Sequence, residues 1–377
     1  MGPRPGYAGQ RATSGRAHFL LTRPDRDFWR TFLPEGSAEM TVSMRVITAG
    51  DGYKYVLKSV VAGDGDRSLS TPLTRYYTEV GCPPGRWMGS GIPSLRLDSL
   101  HAGDAVTELQ LQLLIGQGRN PVTGEDLGRP FLSHRSVRQR VRERAAALDP
   151  ALSDDERAAA MRQIGDEEAA RGTRRTVAGY DYTFSVPKSV SVLWAVADAG
   201  TQELIARAHH NAVAQVLDFL EREVVATRIG ASTRGGPAAQ ADSAGVLATA
   251  YDHWDSRAGD PQLHTHVLVS NKTCTVQDGR WRAVDGRPMH AATVAVSQLF
   301  NAALADELAR VFGLGWDTRD RGEDRYAAWE VAGVGEDLIA EFSARARDID
   351  HETRRLVAAY AAEHGRQPSD RTIIRLR

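Results

Sequence analysis

The sequence predicts an α+β fold, a central antiparallel β-sheet with helices packed on it. Three observations lead there. Segments 40–50, 180–186, 245–254 and 263–271 alternate well enough to be strands. Long stretches between and after them carry helical apolar periodicity. The link DSRAGDPQ, with Gly259 and Pro261, is turn-forming, so the strands on either side of it fold back as neighbours.

The elements follow in order. Residues 1–39, rich in Gly, Pro and Arg, show no sustained periodicity and read as a disordered extension. MTVSMRVITAG then opens the domain near Met40 as a strand with Val42, Met44 and Val46 on one face. A Gly/Asp-rich loop and two groups of tyrosines follow. Residues 104–115 read as a helix with Asp104 as its N-cap. The charged stretch 134–172 is helical, carries a Ser153–Glu156 capping box and reads as a solvated face. YDYTFSVPKSVSVLWAV (180–196) is a strand, a sharp turn at Pro187 and a buried apolar segment. An amphipathic helix follows, with Leu204, Ile205, Ala208, Val213, Val216, Leu217 and Leu220 on its apolar face. Two neighbouring strands, GVLATAYDHW and LHTHVLVSN, precede a short turn and strand at QDGRWRAVDG. A helix over 291–312 closes at Gly313, and from Glu336 the pattern is helical to the end. The chain stops at TIIRLR without a helix-ending signal, as a truncated segment would. The expected organisation is an extension to 39, one domain over 40–335, and C-terminal helices over 336–377.

Composition narrows the class. The 377 residues are 42% hydrophobic and 25% charged, as in an ordinary globular protein. No run approaches ~18 apolar residues, so no membrane insertion is expected, and no signal peptide is evident. Two cysteines, Cys82 and Cys274, define no disulfide framework, and a cytoplasmic location is expected. The net charge of −1 argues against a generic nucleic-acid binder. Of the 47 basic residues only Lys54, Lys58, Lys188 and Lys272 are lysine, a bias that coding composition explains.

Chemistry concentrates in DHWDSRAGDPQLHTHVLVSN (252–271). His264 and His266 share one strand face, while Thr265, Val267 and Val269 take the other. His253, eleven positions before His264, falls on the partner strand. Three imidazoles could converge on one ion from two adjacent strands, leaving a coordination position open as catalytic metals require. An HxH pair by itself is more often structural; the third histidine raises the metal reading. Mg²⁺, Mn²⁺ and Zn²⁺ are not separated here, although imidazole favours transition metals over magnesium. The helical pair His209–His210 does not converge and reads as structural. Tyr53, Tyr55, Tyr76 and Tyr77 are core residues on the bland reading. On the functional one they are nucleophiles for a phosphodiester.

Taken together, the histidine stretch, GYDYTFSVPKSVS, the early tyrosines, PPGRWMGSG (83–91), DGRW (278–281) and GLGW (313–316) resemble the TrwC/TraI-type conjugative relaxases, HUH endonucleases that nick plasmid DNA at its transfer origin. The resemblance runs from about Met40 to at least Trp316. It implies His253, His264 and His266 as ligands of a divalent ion. A tyrosine of the cluster would attack at nic, leaving a 5′-phosphotyrosyl link and a free 3′-hydroxyl. Asp181 would orient a ligand histidine or assist proton removal from the phenol. Lys188 and Arg257, in signature stretches, would contact DNA phosphates. The implied partners are single-stranded or hairpin DNA at an origin of transfer, relaxosome proteins and type IV secretion coupling proteins. The C-terminal helices would fold over the DNA like fingers. One departure is that Lys54 separates Tyr53 from Tyr55, where family members commonly show adjacent tyrosines. The first pair is still favoured for the attack. Three other classes compete. A rolling-circle replication initiator would share the HUH chemistry. A His₃ zinc hydrolase of a small molecule would tolerate Tyr-to-Phe changes, and a non-catalytic DNA-binding module would form no covalent adduct.

Overall fold

The computed structural model describes residues 41–54, 84–132, 134–172, 175–230, 239–256, 258–320, 327–369, 372–373 and 376. The extension 1–39, Tyr55, Tyr76, Tyr77 and Arg257 lie outside the described residues.

Strands β1 (Val42–Thr48), β2 (Arg86–Met88) and β3 (Val177–Ser185) join two later ones in a central sheet. Ribbons β4 (Ala226–Ile229) with β5 (Ala239–Asp242), β8 (Thr273–Cys274) with β9 (Trp281–Arg282), and β10 (Trp316–Arg319) with β11 (Ala328–Val331) flank it. The two later strands are β6 (Ala248–Asp255) and β7 (Pro261–Ser270), and the sheet order is β1-β3-β7-β6-β2 with every pairing antiparallel. The α+β expectation is met.

Helices α1 (Glu108–Leu111, continuing as a π turn to Gln117), α2 (Val137–Ala146) and α3 (Asp154–Arg171) precede β3 or lie beside it in sequence. Then come α4 (Lys188–Val196), α5 (Ala199–Phe219), α6 (Gly286–Ala291), α7 (Thr293–Phe312), α8 (Glu336–Glu341) and α9 (Ala344–His364). No helix of the described residues is long and apolar enough to cross a membrane.

Alternation along the strands divides the side chains between two apolar clusters. Tyr180, Tyr182, Phe184, Val267 and Val269 meet Val213 and Val216 of α5 and Phe300 and Leu304 of α7. On the opposite face Ile47, Tyr251 and Leu268 meet Leu111, Leu114 and Ile115. Each such side chain stabilises the fold by about 1.5–3 kcal/mol when fully buried. The second cluster covers only part of its face, and the histidines occupy the remainder.

Four local expectations need correction. On β1, Val42 is buried and Met44 packs against the helical cluster, but Val46 is 37% exposed and Ile47 is buried instead. A sheet with apolar cover on both faces breaks a one-faced reading. The helix expected from Asp104 starts at Thr107, whose side chain accepts from Gln110 N in a capping box. Asp104 is occupied upstream, its carboxylate accepting from His101 N at 2.7 Å, and Val106 N donates to Gly85 O, so this backbone is extended. The 134–172 face is not wholly solvated, since Glu168 is enclosed by Arg140, Arg144 and Arg171. Helicity does not run unbroken from Glu336, because α9 ends at Gly365 in the left-handed region. The Ser153–Glu156 box and the Gly313 cap form as expected.

The PPGRWMGSG stretch has a physical reason for its glycines. Gly89 has φ +98°, and a Cβ there would lie 2.3 Å from Val246 O. Gly91 N donates to that same carbonyl at 3.0 Å, so the loop after β2 is pressed against the entry to β6. G89A is expected to cost at least about 1–3 kcal/mol through backbone strain alone, measured as a lower denaturation midpoint. An unchanged midpoint would contradict this packing.

Candidate metal centre

The centre is set by register. His253 and His264 face each other across β6 and β7, and His266 lies opposite Thr183 on β3. Period-two alternation therefore brings all three imidazoles to one face. Their ring centroids are 4.8–5.3 Å apart. One ligand nitrogen from each lies within 4.8 Å of the others, so the three could hold a metal ion.

Hydrogen bonds fix which nitrogen two of the three rings present. His266 Nδ1 lies 2.9 and 3.0 Å from the two carboxylate oxygens of Asp181, with Thr183 Oγ1 at 3.1 Å. A carboxylate can only accept, so Nδ1 carries the proton and the Nε2 lone pair is left for an ion. His264 Nδ1 donates to Gln262 O at 2.7 Å, which likewise leaves Nε2. His253 Nδ1 lies 3.2 Å from that His264 Nε2, close to the ~3.3 Å separating two nitrogens ~2.0–2.1 Å from one tetrahedral ion. His253 Nε2 is buried without a hydrogen-bond partner. Burial pushes His253 down to about 2 and His264 to about 4, and the neighbouring imidazoles add to both shifts. Neutral rings at pH 7 are the form that ligates metal. The donor set fits a divalent ion.

His264 and His266 open on a cleft of about 350 Å³ whose lining also includes Ser43, Arg45, Asp181, Thr183, Gln262 and Arg345. From the other face of the same two strands, Thr265 Oγ1 donates to Asp252 at 2.6 Å and Arg86 donates to that carboxylate. These contacts tie β6 to β7 one residue away from each ligand.

A family profile described as TrwC relaxase matches residues 49–376. The chain belongs to the TrwC relaxase family. The multifunctional conjugation protein TraI of Escherichia coli is 34% identical over 187 residues, 47% of this chain and 10% of that protein. TraI of strain K12 is 32% identical over 190 residues. The chain thus matches about 10% of the length of these relatives. Structures of the conjugative relaxase TrwC with oriT DNA, one copper-bound and one described as metal-bound, align with a TM-score of 0.55. They are 25% identical to this chain and cover 89% of both chains.

The family resemblance read from the motifs therefore holds, and the expected site residues separate into three groups. The three histidines and Asp181 come together. Tyr53 and Lys188 do not reach the cleft's lining. Tyr53 ends the short turn Asp51–Tyr53, where Gly50 N donates to Gly116 O at 2.8 Å and folds the turn inward. Its ring is 2% exposed in the second cluster, and burial pushes its phenol up, the reverse of activation. The preference for the first tyrosine pair thus loses one of its members to the core in this structure. Lys188 Nζ donates to Pro261 O at 2.8 Å, so it steadies the start of β7 rather than facing solvent. Tyr55, Tyr76, Tyr77 and Arg257 form the third group, outside the described residues.

Sequence reasoning missed Thr183, Arg345 and the Asp252 contacts. Thr183 was legible, since it stands two residues from Asp181 on one strand and shares its face. Arg345 carried no local signal. His209 and His210, read as structural, are structural: His209 Nε2 meets Thr265 Oγ1 at 2.7 Å and His210 Nε2 lies 3.0 Å from Asp252.

Proposed function

We propose that this domain nicks one strand of origin-of-transfer DNA by tyrosine transesterification. The observation that carries this reading is the convergence of His253, His264 and His266 on one face, with Asp181 behind His266. Family membership supports it, as does the likeness to TrwC structures containing oriT DNA.

In the reaction, a tyrosine oxygen attacks phosphorus and the bond to the 3′-oxygen breaks. The product is a 5′-phosphotyrosyl link and a 3′-hydroxyl. The phenol loses a proton to a base and the departing oxygen gains one, so the exchange is close to neutral and can run backwards. A divalent ion held by His253, His264 and His266 would polarise a phosphate oxygen and offset developing charge. The all-imidazole donor set favours Mn²⁺ or Zn²⁺ over Mg²⁺. Asp181 holds the His266 tautomer and makes that ring a stronger donor. Lys188 fixes the strand that carries His264 and His266. The attacking phenol comes from Tyr55, Tyr76 or Tyr77, because Tyr53 is committed to the core. Arg257, which follows β6 in the sequence, contacts a DNA phosphate. The wider reading includes hairpin or single-stranded DNA as partner, relaxosome and type IV secretion coupling proteins, and work in the cytoplasm.

The test is covalent trapping. Labelled oligonucleotides spanning the cognate origin are incubated with the protein and Mn²⁺, Mg²⁺ or Zn²⁺, then resolved by denaturing electrophoresis. A protein–DNA band is expected that survives in Y53F and disappears in at least one of Y55F, Y76F and Y77F. No band with any ion would overturn the relaxase reading. A band in all four single variants would overturn the use of one required tyrosine.

A further inference from the structure

We infer that Arg345 receives the scissile phosphate, donating from its guanidinium to a non-bridging oxygen of the group presented to the three imidazoles. The inference rests on the relaxase reading and adds a substrate-binding residue from outside the sheet.

Three observations carry it. First, Arg345 lines the same cleft as His264, His266, Asp181 and Thr183, although it arrives from α9, some eighty residues further along the chain. Secondly, its position is fixed through the backbone. Arg345 N donates to Asp260 Oδ2 at 3.2 Å, and Asp260 O accepts from Ser256 N at 2.8 Å within the β6–β7 turn. Asp260 is 8% exposed, so a buried carboxylate docks the start of α9 onto the hairpin that carries the ligands. Thirdly, the guanidinium is left unspent. Among the described residues no carboxylate forms an ion pair with it, whereas Asp181, the nearest acid to the rings, is held by His266.

An arginine placed at a metal-ligand cleft without a carboxylate partner suits an anion. Its planar fork matches two oxygens of a phosphodiester. Charge accumulates on the non-bridging oxygens during attack, and a fixed donor there stabilises the transition state more than the ground state. α9 has no buried residues of its own, and the backbone hydrogen bond at its first turn ties it to the hairpin.

The experiment is a binding cycle with a kinetic arm. Wild type and R345Q are each titrated with an oligonucleotide spanning the cleavage position. They are also titrated with the same oligonucleotide bearing a neutral methylphosphonate at that one linkage. Loss of a charge-assisted hydrogen bond is expected to weaken binding of the natural oligonucleotide by ~10–100-fold in R345Q. The two proteins should bind the methylphosphonate alike, so the changes are not additive. Adduct formation should slow by ~10²–10³-fold, as when a transition-state donor is removed. R345K should restore part of that rate, because it keeps the charge and loses the fork. Mn²⁺ affinity and melting temperature should match wild type. Additive losses in the binding cycle, or an R345Q that binds and cleaves like wild type, would overturn the assignment. So would a parallel loss of Mn²⁺ affinity, which would mark a structural role. Absence of any adduct with wild type would instead bring down the relaxase reading, and the Arg345 assignment with it.

Discussion

His266→Ala is expected to weaken divalent-ion binding by more than about 100-fold and to remove the covalent adduct. That exceeds the ~10–100-fold typical when an outer partner of a metal ligand is lost. The size follows from the ring's position. It lies 4.8 and 5.3 Å, centroid to centroid, from His253 and His264, and its Nδ1 is held by both oxygens of Asp181. Asp181→Asn separates two contributions. The amide oxygen still accepts from Nδ1–H, so the tautomer survives while the charge that strengthens the donor is lost. About tenfold weaker ion binding is expected for Asp181→Asn and nearer 100-fold for Asp181→Ala. Calorimetric titration with Mn²⁺ reads the affinities and the denaturing gel reads the adduct. Wild-type affinity in His266→Ala would refute the assignment of the centre.

The second large effect belongs to stability. Asp252 is 3% exposed on the helical face of β6 and accepts from Arg86 and from Thr265 Oγ1, with His210 Nε2 at 3.0 Å. Because Thr265 Oγ1 donates to Asp252, it accepts from His209 Nε2, and a chain of hydrogen bonds runs from α5 across two strands. The His210 imidazole and then the Arg86 guanidinium beside it hold the Asp252 carboxyl well below its usual range despite the cost of burial. Asp252→Ala leaves these donors facing an empty buried site. A loss of ~3–5 kcal/mol is expected, and a melting temperature lower by ~10 °C. Since Asp252 and Thr265 are sequence neighbours of the ligands, ion binding should weaken as well.

The same chain sets an acid limit. Burial holds His209 down to about 3, below the 6.5 it has when exposed. Between those values the unfolded state binds the proton and the folded state does not, so stability falls as pH drops below about 6.5. Asp252, also depressed, contributes stability that is lost only at lower pH, as its folded-state carboxyl protonates. Melting curves taken from pH 7 downward should show the first loss in the histidine range. A flat melting temperature through that range would exclude a buried neutral His209.

Much of this was legible in the residue order. The spacing of His253, His264 and His266, with Gly259 and Pro261 between the strands, dictates a hairpin whose opposed positions bring imidazoles together. Alternation is strictly period two, so Thr265 had to face away from its histidine neighbours, and it does. Gly313 and Ser153 mark helix ends because capping is satisfied by residues only a few positions away. Where a residue's partner is distant in sequence, the reading failed. Val46 and Ile47 exchanged burial because residues 108–117 cover the opposite face, and nothing within β1 reports that cover. Asp104 looked like a helix cap until a nearer donor, His101 N, claimed its carboxylate.

By itself, the sequence determined the fold class, the family and the three-histidine centre, because each depends on short-range periodicity and on the strand pairing that a tight turn enforces. Only the tertiary structure decided that Tyr53 is a core residue, that Lys188 braces β7, and that Arg345 enters the cleft beside His264. Those outcomes depend on which distant elements come to pack against one another. Desolvation and charge act through space, and a residue's neighbours in the chain do not encode them.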